Sequence, residues 1–185
     1  QKSANDNAQN LKYAKLEERI AKTYAAKTDA TNKNSLYDSY IRAFRWASDR
    51  LTSSKEGGII AFISNGAWLD GNAQEGMRKS LEKEFSDIYV LNLRGNQRTS
   101  GELSRKEGGK IFGSGSRTPI AITFLVKNTQ KEGQATIHYY DIGDYLSRED
   151  KLGKLKKFQS ISSKKIDWQA IEPNDKADWI NQRDG

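Results

Sequence analysis

The sequence predicts an α/β fold with a mixed sheet, and two observations predict it. Between residues 35 and 92, helical and strand-like stretches alternate in the order helix, strand, helix, strand, which is typical of α/β proteins with a mostly parallel sheet. Farther along, two apolar runs stand only a short turn apart, and strands joined so tightly pair antiparallel. The sheet is therefore expected to be mixed, with an antiparallel hairpin toward the C-terminus.

The strongest helical pattern is SLYDSYIRAFRWASDRL, which begins at Ser35. Before it, a short helix is expected around Leu16 to Tyr24, and KTDATNKN is expected to be a loop. Ser35 is expected to cap the strong helix, with Asp38 as its capping-box partner. Its apolar residues form one stripe at positions 36, 37, 40, 44, 47 and 51, and Arg45 falls on another face.

The first strand is expected over Ile59 to Ser64. Apolar residues follow one another there with little alternation, which is typical of a strand covered on both faces. The strand ends in an Asn65-Gly66 turn, and Trp68 is expected to be a packing residue. A helix and a second strand, DIYVLNL, follow, and the residues expected to point inward from this helix are Met77, Leu81 and Phe85.

Residues 94–118, here called the basic segment, are expected to form one long loop. Loops of this length inside compact domains are usually functional or disordered. Two glutamates leave the segment with a net charge of +4, and its cations are Arg94, Arg98, Arg105, Lys106, Lys110 and Arg117. Its GSGS sequence lacks the Lys-Ser/Thr of a phosphate-binding loop and precedes a strand instead of a helix, so a nucleotide site there is not expected.

Phe112 stands as an aromatic residue between glycines in the basic segment, and two interpretations are open. It could be a staple that packs the loop onto the core. It could instead be an aromatic platform for a nucleic-acid base, with the surrounding arginines on phosphates. Tyr40, on the apolar stripe of the strong helix, is first of all expected to be a packing residue.

From residue 144 the character of the chain changes, and a cluster of lysines appears. A helix is predicted over DYLSREDKLGKLKKF, and its exposed residues are expected to include Lys151, Lys154, Lys156 and Lys157. The remaining stretch, SISSKKIDWQAIEPNDKADWINQRDG from residue 160 to the end, is expected to be an irregular tail with one last short helix. No internal repeat is visible.

Composition excludes several classes of protein. The 185 residues contain no cysteine, so disulfide scaffolds and cysteine-ligated metal sites are excluded. The single histidine, His138, lies in an alternating run and is expected to face its strand neighbours, and no metal site is expected. No apolar run reaches the length of a membrane span and no secretory signal is visible, so we expect a cytoplasmic protein. The net charge of +7 suits a nucleic-acid partner.

Four stretches in series resemble the catalytic half of the gamma-class DNA adenine amino-methyltransferases. They are SLYDSYIRAFRWASDRL, EGGIIAFISNGAWL, MRKSLEKEFSDIYVLNL and GGKIFGSGSRTPIAITFLVK, which together span roughly residues 34–128. KNSLYDSYIRAFRWASDR looks closest to the methyltransferase part of the single-polypeptide restriction–modification enzymes of Type ISP, in which a helicase motor and a nuclease precede the methyltransferase. The resemblance implies a partial doubly wound, Rossmann-like methyltransferase sheet.

The sequence departs from that family at two motifs. It has no Asn-Pro-Pro-Tyr and no glycine-rich cofactor motif, and it does not begin with Met. We therefore expect a fragment cut just after the catalytic motif, inactive alone, with no catalytic residue in this chain. The expected domain organisation is a polar segment over 1–34, the methyltransferase half-domain over 35–143 and a linker toward a target-recognition domain over 144–185.

The resemblance also implies roles for individual residues. In the family, S-adenosylmethionine donates a methyl group to an adenine flipped out of the duplex. Phe112 matches the aromatic residue that stacks on the flipped base, Tyr40 matches a cofactor-pocket aromatic, and Asn65 lies at the sheet edge beside that pocket. The cations of the basic segment would face DNA phosphates.

The expected partners are DNA and the rest of the parent polypeptide, with no membrane, and a homodimer through an exposed sheet edge is also expected. The alternative function is a non-catalytic basic α/β module that binds nucleic acid.

Overall fold

The computed structural model describes residues 13–113 and 115–183. Residues 1–12 of the polar segment, Ser114 of the GSGS stretch and residues 184–185 lie outside the described residues. The helices and strands in chain order are α1 (Ala14–Thr23), α2 (Ser39–Thr52), β1 (Gly58–Asn65), α3 (Glu75–Glu84), β2 (Asp87–Asn92), α4 (Gly101–Glu107), β3 (Ile120–Lys127), β4 (Thr136–Asp141), α5 (Arg148–Phe158) and β5 (Gln169–Ile171). The helix predicted around Leu16 to Tyr24 is confirmed as α1.

The sheet has five strands in the order β1-β3-β2-β4-β5. β3 runs antiparallel to both β1 and β2, β2 and β4 are parallel, and β5 is antiparallel to β4. The predicted mixed α/β sheet is confirmed and is consistent with a partial Rossmann-like fold. The predicted hairpin between the strands now called β3 and β4 is wrong, because β2 lies between them, and the antiparallel pair near the C-terminus is β4 with β5.

Strand β1 lies at the edge of the sheet and is exposed on one face. Its burial alternates, with Ile60 and Phe62 packed against the helices and with 64% of Ile59 and 62% of Ile63 exposed. Within the described residues β1 pairs only with β3. The expectation that Ile59 to Ser64 is covered on both faces is therefore wrong for this chain, and the sequence showed no alternation because both faces carry apolar side chains.

Two hydrophobic clusters lie on opposite faces of the sheet. Helices α1, α2 and α3 cover one face and form a cluster whose residues include Phe44, Trp68, Met77, Leu81 and Phe85. On the other face, Phe158 of α5 and Ile166 pack with Leu91, Ile111 and Ile142. The inward positions predicted for α3 are confirmed, and so is the packing role of Trp68, whose ring lies 5.5 Å from that of Phe44.

The strong helix begins four residues later than predicted. Asn34–Tyr37 form a 3-10 turn, Asp38 is extended (φ −62°, ψ 147°), and α2 begins at Ser39 without a side-chain cap. The Ser35 hydroxyl instead accepts a hydrogen bond from Gln74 Nε2 at 2.8 Å. Arg45, expected on another face of the helix, is buried.

Arg45 is buried because two carboxylates and an aromatic ring compensate its charge. It donates to both carboxylate oxygens of Glu84, at 2.9 and 2.8 Å, and to Asp49 at 3.1 Å. Its guanidinium also lies over the ring of Tyr24, 5.1 Å from the centroid. A bidentate pair of this kind offsets the desolvation of a buried guanidinium.

The C-terminal stretch returns to the core. Gln169–Ile171 form β5, and Trp179 is buried with its ring 5.3 Å from that of Trp68. Fully buried Arg78 donates to the carbonyls of Trp68, Gly71 and Ala177 and to Asp178. The prediction of an irregular tail is therefore wrong for residues 169–171, while the domain boundaries at 34 and 143 stay predictions.

Two smaller expectations can be checked directly. His138 stacks on Tyr89 with ring centroids 4.2 Å apart, and its Nε2 lies 3.1 Å from Asp87, so its expected place among strand neighbours is confirmed. Of the helices in the described part of the chain, none is both long and apolar enough to cross a membrane.

Candidate nucleic-acid interface

A polar cleft of about 480 Å³ lies at the carboxyl edge of the sheet. β1, β2 and β4 share one direction, so their carboxyl ends meet there and place Gly66, Asn92 and Asp141 in its wall. Leu103 and Lys106 of α4 also line it. Open α/β sheets bind ligands at this edge, and this is the candidate site.

The floor of the cleft is a hydrogen-bonded network. Asn92 Nδ2 donates to the Tyr139 hydroxyl at 2.9 Å, and burial raises the pKa of Tyr139 to about 12. Arg94 donates to both oxygens of Asp141, at 2.7 and 2.9 Å, and also pairs with Asp144. The network uses the polar groups of β2 and β4 to hold the start of the basic segment in place.

Asn65 organises the turn that leaves β1. Its side-chain oxygen accepts the backbone N–H of Ala67 at 2.9 Å, and Gly66 N donates to the Pro119 carbonyl at 2.9 Å. This Asx turn leads into the short 3-10 helix Ala67–Leu69. Asn65 therefore fixes the rim of the cleft with its oxygen, and its role beside a cofactor stays a prediction.

Tyr40 lies on α2 and is partly buried. It packs against the cluster on the helical face of the sheet, and burial raises the pKa of its hydroxyl. Within the described residues no hydrogen bond or ring contact joins Tyr40 to Asn65. The packing interpretation of Tyr40 fits its place against this cluster, and its role in a cofactor pocket stays a prediction.

The basic segment is not one irregular loop, because helix α4 (Gly101–Glu107) lies inside it. Three of its six cations have partners. Arg94 is held in the network described above, Arg105 lies 3.3 Å from Glu102, and Arg117 donates to the Gln97 carbonyl at 2.9 Å.

The side chains of the other three cations of the basic segment are not held by such contacts. Within residues 13–113 and 115–183, the side chains of Arg98, Lys106 and Lys110 make no hydrogen bond or ion pair. Arg98 and Lys106 are exposed, and Lys110 is partly exposed. Burial raises the pKa of the Asp38 carboxyl, and the charge of Arg98 acts on it in the opposite direction. These three are therefore the cations of the segment whose side chains no hydrogen bond or ion pair holds in place.

Phe112 is half exposed, at 51%. Its neighbour Ile111 is buried in the cluster beneath α5, so Ile111 is the residue that staples the segment to the core. The residue that packs the segment onto the core is thus Ile111 and not Phe112. An exposed ring in this position leaves the platform interpretation open as a prediction.

Two residues of the site were not identified from the sequence. Asp141 is the carboxylate that pairs with Arg94, and its place at the end of a predicted strand was the available signal. Lys151 was expected to be exposed, but it is fully buried and donates to two carbonyls of the basic segment. The apolar spacing of its helix gave no sign of this, because the acceptors are backbone atoms far away in the sequence.

The fold and the site together define a mixed α/β unit with a polar cleft at its carboxyl edge and a basic segment beside it. Two solved structures of restriction–modification enzymes contain a similar unit. In a nuclease-deletion mutant of the Type ISP restriction-modification enzyme LlaGI, in complex with a DNA substrate mimic, the matching part is 50% identical over 98% of this chain (TM-score 0.88). In the ATP-dependent Type ISP restriction-modification enzyme LlaBIII bound to DNA, it is 45% identical over the whole chain (TM-score 0.90).

A DrdV–DNA complex, solved by cryo-electron microscopy, is a third similar structure, at 36% identity over 98% of this chain with a TM-score of 0.85. The chain spans only 17%, 12% and 17% of the LlaGI, LlaBIII and DrdV chains. It is therefore similar to one segment of much longer polypeptides. No protein-family model matches the chain, and no curated protein matches it.

Proposed function

We propose that this chain is the catalytic-half segment of a DNA adenine methyltransferase inside a restriction–modification polypeptide of the Type ISP kind. The observation that carries the proposal is 45–50% identity over 98–100% of the chain to Type ISP enzymes solved with DNA or a DNA mimic. Identity at this level supports the same architecture and the same partner. The order of the four sequence stretches supports the methyltransferase assignment.

The proposed role of Phe112 is to stack on the flipped adenine. A base whose amino group reacts must leave the duplex stack, and an aromatic face then replaces the lost stacking. The ring is half exposed and follows directly on buried Ile111, so its backbone is anchored while its face is accessible. Each base stacked on an aromatic ring gains about 1–3 kcal/mol.

The basic segment is proposed to hold the DNA backbone. Arg98, Lys106 and Lys110 make no side-chain hydrogen bond or ion pair within the described residues and can neutralise phosphates, which makes the affinity depend on salt. Arg105 and Arg117 are exposed and add to the positive surface, although each also has a contact within the segment. Phosphate contacts of this kind position a duplex without reading its sequence.

We assign no complete S-adenosylmethionine pocket to this chain. Tyr40 packs on the helical face, and the Asn65 side-chain oxygen is occupied by its own turn. The chain also lacks a glycine-rich cofactor motif. S-adenosylmethionine would supply the methyl group in the intact enzyme, and we assign to this chain only the positioning of DNA and of the base.

The rest of the parent polypeptide is proposed to cover strand β1. Within the described residues β1 is paired on one side only, and its outward face carries exposed Ile59 and Ile63. Edge strands with apolar faces are templates for pairing with another strand. Since the similar enzymes are about six to eight times longer than this chain, their remaining polypeptide is the first candidate, and a second copy of the chain is the alternative.

The proposal is tested with the longest polypeptide that carries this chain. Methyl transfer from labelled S-adenosylmethionine to adenine in duplex DNA is the expected activity. The 185-residue chain alone is expected to show no saturable S-adenosylmethionine binding by calorimetry. Salt-dependent DNA binding by the intact polypeptide without methyl transfer would favour the non-catalytic module instead.

A further inference from the structure

Lys151 is a buried lysine in the second cluster, and the proposed function does not use it. Its side chain is fully buried on α5, and its Nζ donates to the carbonyl oxygens of Glu107 and Gly109, both at 2.8 Å. Glu107 is the last residue of α4. The lysine therefore binds one carbonyl at the C-terminus of α4, which also accepts Gly95 N–H at 3.1 Å, and one carbonyl just beyond the helix.

Residues that precede Lys151 make further hydrogen bonds to the same part of the basic segment. Residues 145–151, here called the strap, run alongside residues 106–111 of the basic segment. Tyr145 N donates to the Lys106 carbonyl at 3.0 Å, and Gly109 N donates to the Leu146 carbonyl at 2.8 Å. Arg148 Nε donates to the Ile111 carbonyl at 2.9 Å. The residue that follows Ile111 is the exposed Phe112.

Two glycines allow the strap to lie so close. A Cβ atom on Gly108 would come within 2.3 Å of the Leu146 carbonyl oxygen, and one on Gly109 within 2.4 Å of the Arg148 nitrogen. Gly108 also has a φ of +69°, in the region that glycine adopts without strain. The Gly-Gly pair in the basic segment is thus explained by its contact with the strap.

The attachment has an energetic cost that its hydrogen bonds offset. Burial lowers the pKa of Lys151 to about 8, with Glu107 and Asp141 acting in the opposite direction and Arg94 in the same one. An ammonium group is buried only where charge-assisted hydrogen bonds compensate it. A neutral side chain of similar length would fill this space without the free-energy cost of burying a charge. What the lysine adds is its two hydrogen bonds to the carbonyls of Glu107 and Gly109.

We propose that Lys151 and Arg148 are positioning residues that hold residues 106–111 and thereby set the direction in which Phe112 projects. This inference rests on the proposed function, in which Phe112 stacks on a flipped base. The strap fixes the backbone up to Ile111. Stacking then requires that only the Phe112 side chain be ordered when DNA binds, which lowers the entropy cost of binding.

The test compares Lys151→Met with Lys156→Met in the longest polypeptide that carries this chain. Lys156 is an exposed lysine of the same helix and serves as the matched control. Amide hydrogen exchange of residues 107–112 is expected to become at least about tenfold faster in Lys151→Met, while the strands of the sheet and the control stay unchanged. Arg148→Gln, at a half-exposed position, provides a second variant if Lys151→Met does not fold.

A second readout separates this inference from the proposed function. DNA with 2-aminopurine at the methylated position reports the flipped base by its fluorescence. Lys151→Met is expected to reduce that signal at saturating DNA, with little change in the salt dependence of binding. Unchanged exchange in residues 107–112, or faster exchange with an intact fluorescence signal, would overturn the positioning role. A wild-type protein without any fluorescence change would instead contradict the proposed function itself.

Discussion

Arg94 Nε lies 2.7 Å from Asp141 Oδ1, and this pair joins the carboxyl end of β2 to that of β4 across the floor of the cleft. Asp144 binds the same guanidinium. Arg94 thus differs from Arg98, whose side chain has no ion pair within the described residues, although both were expected to face DNA. The structure favours a mainly intramolecular role for Arg94.

Arg94→Gln and Arg98→Gln are therefore expected to act differently. Arg98→Gln should lower the slope of log affinity for DNA against log salt by about 1, because one phosphate contact is lost. Arg94→Gln should leave that slope unchanged and lower the free energy of unfolding by about 1–3 kcal/mol, since Asp141 and Asp144 lose their partner. DNA titrations at several salt concentrations and urea unfolding measure the two quantities, and a lower slope for Arg94→Gln would place it on DNA.

Arg78→Met is expected to lower the free energy of unfolding by about 3–5 kcal/mol. The substitution removes the donor that three carbonyls share, those of buried Trp68 and Ala177 and of partly buried Gly71. Asp178 keeps Arg183 as a partner, at 2.8 Å. Arg50→Met, at an exposed position on α2, is the control and should cost about 0.5 kcal/mol or less. Equal midpoints of urea unfolding for the two variants would contradict the role of Arg78.

The buried lysine predicts a pH dependence of stability. Burial lowers the pKa of Lys151 to about 8 from its usual value of 10.5. Between these two pH values the unfolded chain retains a proton that the folded chain has released, so this group makes stability rise with pH. Lys151→Met should remove that rise, and Lys156→Met should keep it. Urea unfolding at about pH 7.5 and about pH 10 tests this, and identical pH profiles for wild type and Lys151→Met would contradict it.

Because one face of β1 is uncovered in this chain, we expect Ile63→Lys to affect stability differently in the 185-residue chain and in the longer polypeptide. In the 185-residue chain, Ile63 is 62% exposed, so Ile63→Lys should change the free energy of unfolding by about 0.5 kcal/mol or less. In the longer polypeptide the same lysine would be buried without a partner and should cost at least about 3 kcal/mol. Leu152→Lys on α5 is the control in both contexts. Equal small effects for Ile63→Lys in both would show that the face stays uncovered.

Part of the fold could be predicted because local patterns encode it. The spacing of apolar residues placed Met77 and Leu81 on the inner face of α3, and the alternation around His138 placed β4. The order of the strands could not be predicted, because β2 enters between β3 and β4 through contacts that the short turn does not reveal. Side-chain pattern decides which face a strand buries, but pairing depends on the whole sheet.

The candidate site could be predicted only in outline. The sequence indicated the basic segment and Phe112, since charge and exposed aromatics are visible in composition. It misassigned the buried cations Arg45 and Lys151, because their partners, Glu84 and two carbonyls of the basic segment, are distant in sequence. A charged residue is read as exposed unless its partner is known, and here the fold supplies the partners.

The most direct test of the central claim is methyl transfer to DNA adenine by the longest polypeptide carrying this chain, with Phe112→Ala compared with Phe112→Trp. Phe112→Ala should lower kcat/KM by about 5- to 150-fold, the equivalent of about 1–3 kcal/mol of lost stacking. Phe112→Trp should retain most of the rate, because indole keeps an aromatic face. An unchanged rate in Phe112→Ala would contradict the proposed base-stacking role.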